Sequence, residues 1–165
     1  MALAVERPVF IMAKESLFRI PLLSWWLHSM GFFPVARVMG DKRAFENARE
    51  VLRGGNVLAT APEGTRQRKG PGRPSAHTGI VRLAQEFRCP VVPVGVRGTR
   101  KALPPGGLFP RPCKLSVTVG QPIHLEPIEV IPENRHRLQE QVDFIMDKIY
   151  QLSGENFLSG ESVHT

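Results

Sequence analysis

Cysteine is scarce in this sequence. The 165 residues hold only Cys89 and Cys113, with no CxxC pair and no histidine at zinc-finger spacing. That excludes a disulfide-stapled secreted scaffold and a structural zinc site, and it reads as two reduced thiols in a cytosolic setting. A long apolar run is lacking too. The most apolar stretch, 16–36, contains Arg19 and is interrupted by Pro21 and Gly31. Its unbroken part is about half of what a bilayer-spanning helix needs. A transmembrane span is excluded on that ground, whereas a helix lying in the membrane interface stays open. No basic n-region or cleavage site follows Met1, so no signal peptide is visible. Acidic residues are outnumbered: 22 Lys and Arg face 15 Asp and Glu, a formal charge of +7 and a pI near 10.1. A basic balance suits a polyanionic partner, whether nucleic acid, an anionic membrane or a phosphorylated substrate, and does not choose among them.

With 42% hydrophobic and 22% charged residues, the composition is that of a globular domain. The length fits one domain over 1–152 followed by a polar tail, 153–165. No internal repeat and no separate linker is visible. Val9 to Met12, Val57 to Ala61, Val91 to Val96 and Leu115 to Val119 read as strands. Pro21 to Met30 reads as a helix, with proline in its first turn and Gly31 past its end. Asp41 to Arg53 repeats Ala44, Phe45, Ala48, Val51 and Leu52 at helical spacing, and Thr78 to Phe87 repeats Ile80, Leu83, Ala84 and Phe87. The last helix, ending near Leu152, carries the stripe Leu138, Val142, Ile145, Ile149 and Leu152. Alternating strands and helices predict an α/β fold, a largely parallel sheet flanked by helices. The strand over 57–61 has no polar alternation, which predicts burial on both faces. Ligands of such sheets bind beyond the carboxyl ends of the strands, here the loops after Ala61 and Val96.

The segment Pro62-Glu63-Gly64-Thr65-Arg66 directly follows one of those strands. Gly64 lets backbone N–H groups approach a ligand closely. Arg66 is a permanently charged planar donor that suits phosphate, and Glu63 can accept from a hydroxyl or orient an arginine. The bland alternative is a turn with a surface salt bridge. Lys14 follows the first strand and Arg37 closes the apolar run that begins at Gly31. Taken singly, each is an ordinary solvated cation.

Taken together, these residues resemble the glycerolipid acyltransferases of the 1-acyl-sn-glycerol-3-phosphate (lysophosphatidic acid) acyltransferase type, over roughly Pro8 to Pro122. That family has four motif blocks: His-x4-Asp, an apolar segment ending in Arg, Glu-Gly-Thr-Arg, and an apolar strand containing proline. The second block matches at Gly31 to Arg37, with Val35-Ala36 where the family often has Ile-Asp. The third matches at Glu63 to Arg66 without substitution, and the fourth at Val91-Val92-Pro93-Val94. The resemblance implies a glycerol-3-phosphate acyltransferase-like fold. It further implies a lysophospholipid acceptor, an acyl thioester donor (acyl-CoA or acyl carrier protein) and no further cofactor or metal. It places the work at the cytoplasmic face of a membrane, peripherally, in phospholipid synthesis. Lys14, Arg37, Glu63, Gly64, Thr65 and Arg66 are then the residues that position the substrate phosphate.

The first block is missing. No His or Asp stands among the thirteen residues before Lys14, and none of His28, His77, His124, His136 and His164 has Asp five positions on. His124 has Glu129 there, inside a proline-flanked turn, and reads as coincidence. Acyl transfer needs a base to take the hydroxyl proton and a group to hold that base, so no catalytic residue is assigned. Two expectations follow: a piece of a longer protein whose His-x4-Asp lies upstream of Met1, or a phospholipid-binding domain without turnover. His77, near a helix start, reads as a solvated histidine rather than a replacement base. Trp25-Trp26 read as core packing, with an interfacial patch as the alternative. Arg66, Arg68, Lys69 and Arg73 lack the interleaved aromatics of a nucleic-acid site, and no nucleic-acid partner is expected.

Overall fold

The structure is a computed structural model and describes residues 7–35, 42–63, 76–102 and 111–154. The chain divides into two compact units, Met1–Gly64 and Thr65–Thr165.

In the first unit, β1 (Val9–Lys14) leads through a 3-10 helix (Glu15–Arg19) into α1 (Pro21–Ser29). Then come β2 (Phe32–Val35), α2 (Lys42–Arg53) and β3 (Val57–Ala59). Pro21 starts α1 because its missing N–H falls where the helix would leave an orphan donor. Gly31 ends that turn at φ +79°, and a Cβ there would meet the Val9 carbonyl oxygen at 2.8 Å. Only glycine lets β2 begin so close to β1. All three strands are parallel, in the order β2-β1-β3. The chain therefore leaves β1 to one side and returns to the other. Right-handed crossovers in those two directions put α1 and α2 on opposite faces of the sheet. Leu27 on α1 and Ala44 and Ala48 on α2 are the buried residues of the two helices. The strand β3 is shorter than its apolar run and half-buried rather than buried on both faces. Its ladder with β1 ends at Ala59, short of Pro62, which has no N–H to donate.

The second unit holds α3 (Gly79–Phe87), β4 (Val94–Arg97), a one-turn α4 (Thr99–Ala102), β5 (Ser116–Val119) and α5 (Arg135–Ser153). Its core is Ala76, Val81 and Ala84 against Leu138, Val142, Ile145, Met146 and Tyr150, closed by Val91 and Ile128. The Gln85 amide donates to the Glu126 carbonyl (2.7 Å) and to Gln141 Oε1 (2.8 Å), and its oxygen accepts from the Ile128 N–H at 3.1 Å. These bonds tie the irregular segment before α5 to α3. Here the parallel-sheet expectation fails for two strands: β4 and β5 pair antiparallel, as a sheet of their own. The described part of their connection carries only the one-turn α4 and no crossover helix, so the chain doubles back. The run Val91 to Val96 is also split. Val91 bridges Ile123 and the ladder resumes at Val94↔Val119, so three steps on one side face four on the other. Pro93 sits in that gap, donating nothing while its carbonyl accepts from the Gly120 N–H at 2.9 Å.

Candidate functional site

Parallel register puts the carboxyl ends of β1, β2 and β3 at one edge of the first unit's sheet. Lys14 is the last residue of the central strand and lies opposite Val35, the last of β2. Ile11 lies opposite Ala59, the last of β3. Lys14 is thus three residues beyond that level, roughly 10 Å along the strand at about 3.3 Å per residue. The chain leaving β3 passes Thr60 and Ala61 into a turn at Pro62-Glu63. Sheets of this kind bind ligands beyond the carboxyl ends of their strands, here the ends of β1, β2 and β3. Lys14 ends β1, and Glu63 lies in the turn four residues past the end of β3, the strand beside it.

The two side chains differ in setting. Lys14 is exposed, so its ammonium is hydrated and available to an incoming anion. Glu63 is half-buried within its turn, which limits the directions its carboxylate can face. An anion cannot itself bind phosphate, so the carboxylate serves a hydroxyl or an arginine. Arg37, two residues past Val35, lies outside the described residues, as do Gly64, Thr65 and Arg66. Of the six predicted residues, the described ones are Lys14, at the end of β1, and Glu63, in the turn after β3. The other predicted loop, after Val96, leaves an antiparallel strand, so the carboxyl-edge rule does not extend to it.

Among the described residues no histidine supplies an evident base. His28 Nδ1 donates to the Ser24 carbonyl at 2.8 Å and its ring meets Phe18 edge-on, centroids 4.9 Å apart. That fixes His28 within α1 and its preceding turn. His77 is exposed ahead of α3. His136 is exposed and 3.3 Å from Glu140 one turn along α5. His124 and Glu129 both line a shallow cavity of about 480 Å³ with Arg88 and Cys89. Both are exposed, and among the described residues no hydrogen bond joins their side chains, so nothing orients the imidazole. Burial pushes the Cys89 thiol above its ordinary range, against a smaller opposing backbone hydrogen bond, which makes it a poor nucleophile at neutral pH. Among the described residues no group of His, Cys, Asp and Glu could hold a metal ion.

One feature of the first unit was weighted wrongly in the sequence. The Trp25-Trp26 pair is not core: Trp25 is 71% and Trp26 50% exposed. The signal was there in the spacing, since Leu23 and Leu27, one turn apart, already supply the inward face of so short a helix.

Comparison with known proteins accounts for this arrangement. The acyltransferase family model matches residues 1–97, more than half of the chain. The 1-acyl-sn-glycerol-3-phosphate acyltransferase LPAT1, chloroplastic, of Arabidopsis thaliana is 28% identical over 148 residues, covering 86% of this chain and 40% of that protein. The 1-acyl-sn-glycerol-3-phosphate acyltransferase of Bacillus subtilis is 25% identical over 149 residues, covering 89% of this chain and 70% of that protein. The chain thus spans about two fifths of the chloroplast relative's length. The fold is similar to that in the crystal structure of the 1-acyl-sn-glycerophosphate (LPA) acyltransferase PlsC from Thermotoga maritima. The TM-score is 0.64 at 23% identity, over 94% of this chain and 59% of that one. The family match runs from Met1 through β4, over more than half of the chain, and the fold is in keeping with it: the chain belongs to the acyltransferase family.

Proposed function

We propose that this chain holds 1-acyl-sn-glycerol-3-phosphate as the acceptor of a fatty acyl group from an acyl thioester, in the synthesis of phosphatidic acid. Lys14, Arg37 and the loop Glu63-Gly64-Thr65-Arg66 are its phosphate site. The observation that supports this is Lys14 at the carboxyl end of β1 and Glu63 in the turn that follows β3, in a chain of this family. The chemistry explains why cations belong there. The acceptor's free hydroxyl oxygen attacks the thioester carbonyl carbon, the hydroxyl proton goes to a base, and the sulfur leaves as a thiolate. A phosphate fixed by Lys14, Arg37 and Arg66 holds that hydroxyl in place, which turns a collision between two molecules into a local event. Glu63 keeps an arginine or a hydroxyl in register. The donor is acyl-CoA or acyl carrier protein, with no further cofactor. The protein works peripherally at the cytoplasmic face of a membrane. Two unpaired cysteines are consistent with that side, and no helix among the described residues is long and apolar enough to cross a bilayer.

A second reading is supported by one sequence fact: the 165 residues contain no His-x4-Asp. In that reading the domain binds phospholipid without turning it over. One pair of measurements separates the readings and tests what they share. Calorimetry should show lysophosphatidic acid binding in preference to monoacylglycerol, and Arg37→Ala and Arg66→Ala should each weaken it. Losing a charged hydrogen bond of about 1.5–3 kcal/mol corresponds to roughly 10–150-fold in Kd, with unchanged melting. Tighter, salt-dependent binding of a DNA duplex would overturn both readings. Turnover of acyl-CoA and lysophosphatidic acid by the 165-residue chain would exclude the second reading. Its absence here, with turnover by a form extended to include His-x4-Asp, is the expected result.

A further inference from the structure

The nine residues of α1 include no Asp, Glu, Lys or Arg. Its inward face is buried Leu27 and half-buried Leu23. Its outward face is Leu22 (79% exposed), Trp25, Trp26 and Met30 (53%). That spacing, i, i+3, i+4 and i+8, is one continuous stripe, and Ile20 and Leu17 extend it along the preceding turn. A helix on a water-facing surface turns polar residues outward; a helix apolar all round meets a second apolar phase. The polar groups of α1 are already engaged within the helix. His28 Nδ1 donates to the Ser24 carbonyl, and Ser29 Oγ donates to the Trp26 carbonyl at 2.7 Å. Leaving water therefore costs these groups little.

Charge identifies the second phase. No acidic residue occurs between Glu15 and Asp41, whereas two cations, Arg19 and Arg37, do. Arg19, exposed at the end of the turn that leads into α1, argues against a second copy, because a two-fold interface sets a patch against itself and brings like charges together. It suits anionic headgroups. The length suits them too: nine residues at about 1.5 Å each make a helix too short to span but long enough to lie in the interface. Tryptophan concentrates at headgroup depth. We propose that α1 is the surface by which this protein docks on an anionic phospholipid bilayer, with Trp25 and Trp26 at headgroup depth and Arg19 on lipid phosphate. This deepens the membrane assignment of the proposed function and rests on it.

Trp25 and Trp26 are the only tryptophans of the chain, so intrinsic fluorescence reports on this surface alone. The 165-residue protein is titrated with phosphatidylcholine vesicles, with and without phosphatidylglycerol. The expected result is a blue shift of emission, stronger with phosphatidylglycerol, and quenching by lipids brominated high on the acyl chain. In co-sedimentation, the double variant Trp25→Ala/Trp26→Ala should partition at least about tenfold more weakly with an unchanged circular-dichroism melt. Arg19→Gln should lose most of the preference for anionic vesicles. Vesicle binding without a change in emission, or equal partition of the double variant, overturns the inference. So does a concentration-dependent dimer whose emission is already blue-shifted without lipid. Short-chain lysophosphatidic acid, titrated below its micelle concentration, reads the phosphate site separately. Retained phosphate preference with no vesicle binding refutes the docking surface alone. Vesicle binding through α1 without phosphate preference refutes the proposed acceptor site alone.

Discussion

Replacing Lys14 by methionine tests the candidate site at the position where the structure is most explicit. Methionine keeps most of the unbranched stem and removes the charge. Lys14 lies at the end of the central strand, paired through its backbone with Val35, and its side chain is exposed. The strand pairing is main-chain and survives the change, so unfolding free energy should move by no more than about 0.5 kcal/mol. Binding should respond differently. A charge-assisted hydrogen bond to phosphate is worth about 1.5–3 kcal/mol, and the exposed ammonium must first shed part of its hydration. The lower end of that range applies, roughly tenfold in Kd. The assay is calorimetric titration with short-chain lysophosphatidic acid at low and high salt, beside a urea melt. At high salt the difference between wild type and Lys14→Met should narrow, because an open site is screened over a Debye length of about 3 Å at 1 M against about 10 Å at 0.1 M. Equal affinities at low salt would refute the role of Lys14. An equal loss for monoacylglycerol would show that the residue contributes contact but does not recognise phosphate. An early melt would make it structural.

Gly95→Ala should destabilise the second unit by about 1–3 kcal/mol in a urea melt, because the added Cβ would meet the Leu152 carbonyl carbon and the Ser153 nitrogen, both backbone, well inside contact distance. Arg88→Gly should stabilise it by about 1 kcal/mol, since Arg88 holds φ +48° and ψ +39° as the left-handed cap of α3; an earlier melt would mean that its side chain outweighs that strain. Exposed Cys113 should be alkylated by iodoacetamide well before half-buried Cys89. The raised Cys89 value means thiolate forms only as pH climbs beyond the ordinary range. Its linked contribution to stability, full below the unfolded thiol's value, is lost as pH rises through the folded one. Equal alkylation rates near pH 8 would contradict that burial.

Much of the fold was legible because its signals are local. The period of Ala44 and Ala48 marks α2, and Pro21 with Gly31 brackets α1. The misjudged features depend on partners distant in sequence. The stripe predicted on α5 omits Met146 and Tyr150, both buried. A helix packed on one side has a narrow apolar face, but α5 meets both α3 and β4, and the wider face follows from that second contact. On α3, fully buried Val81 was missed in favour of half-buried Ile80 and Phe87. Antiparallel pairing of β4 with β5 has no signature in either strand alone. Of the site, residue types and order were readable, but which strand ends lie side by side was not. The order β2-β1-β3 supplies that, and it sets the strand that ends at Lys14 beside the strand that leads to Glu63.

The same topology puts the proposed phosphate site and the proposed docking surface on one unit. Lys14 is followed directly by the 3-10 turn and then α1, so the cation at the sheet edge and the apolar stripe of Leu22, Trp25, Trp26 and Met30 belong to one continuous segment. A lysophospholipid has the same polarity sequence, a phosphate joined by a short glycerol link to an apolar chain. In a bilayer its phosphate lies at headgroup depth, the level tryptophan prefers. A protein that met such an acceptor in water would have to draw the acyl chain out of the membrane, at about 0.8 kcal/mol per methylene. A cation carried on the segment that contacts the headgroup layer avoids that cost, since the phosphate can be bound while the chain stays in lipid. An exposed apolar helix that follows a cation at the sheet edge, wasteful in a protein whose ligand is soluble, is the economical arrangement for the proposed acceptor, whose chain stays in the membrane.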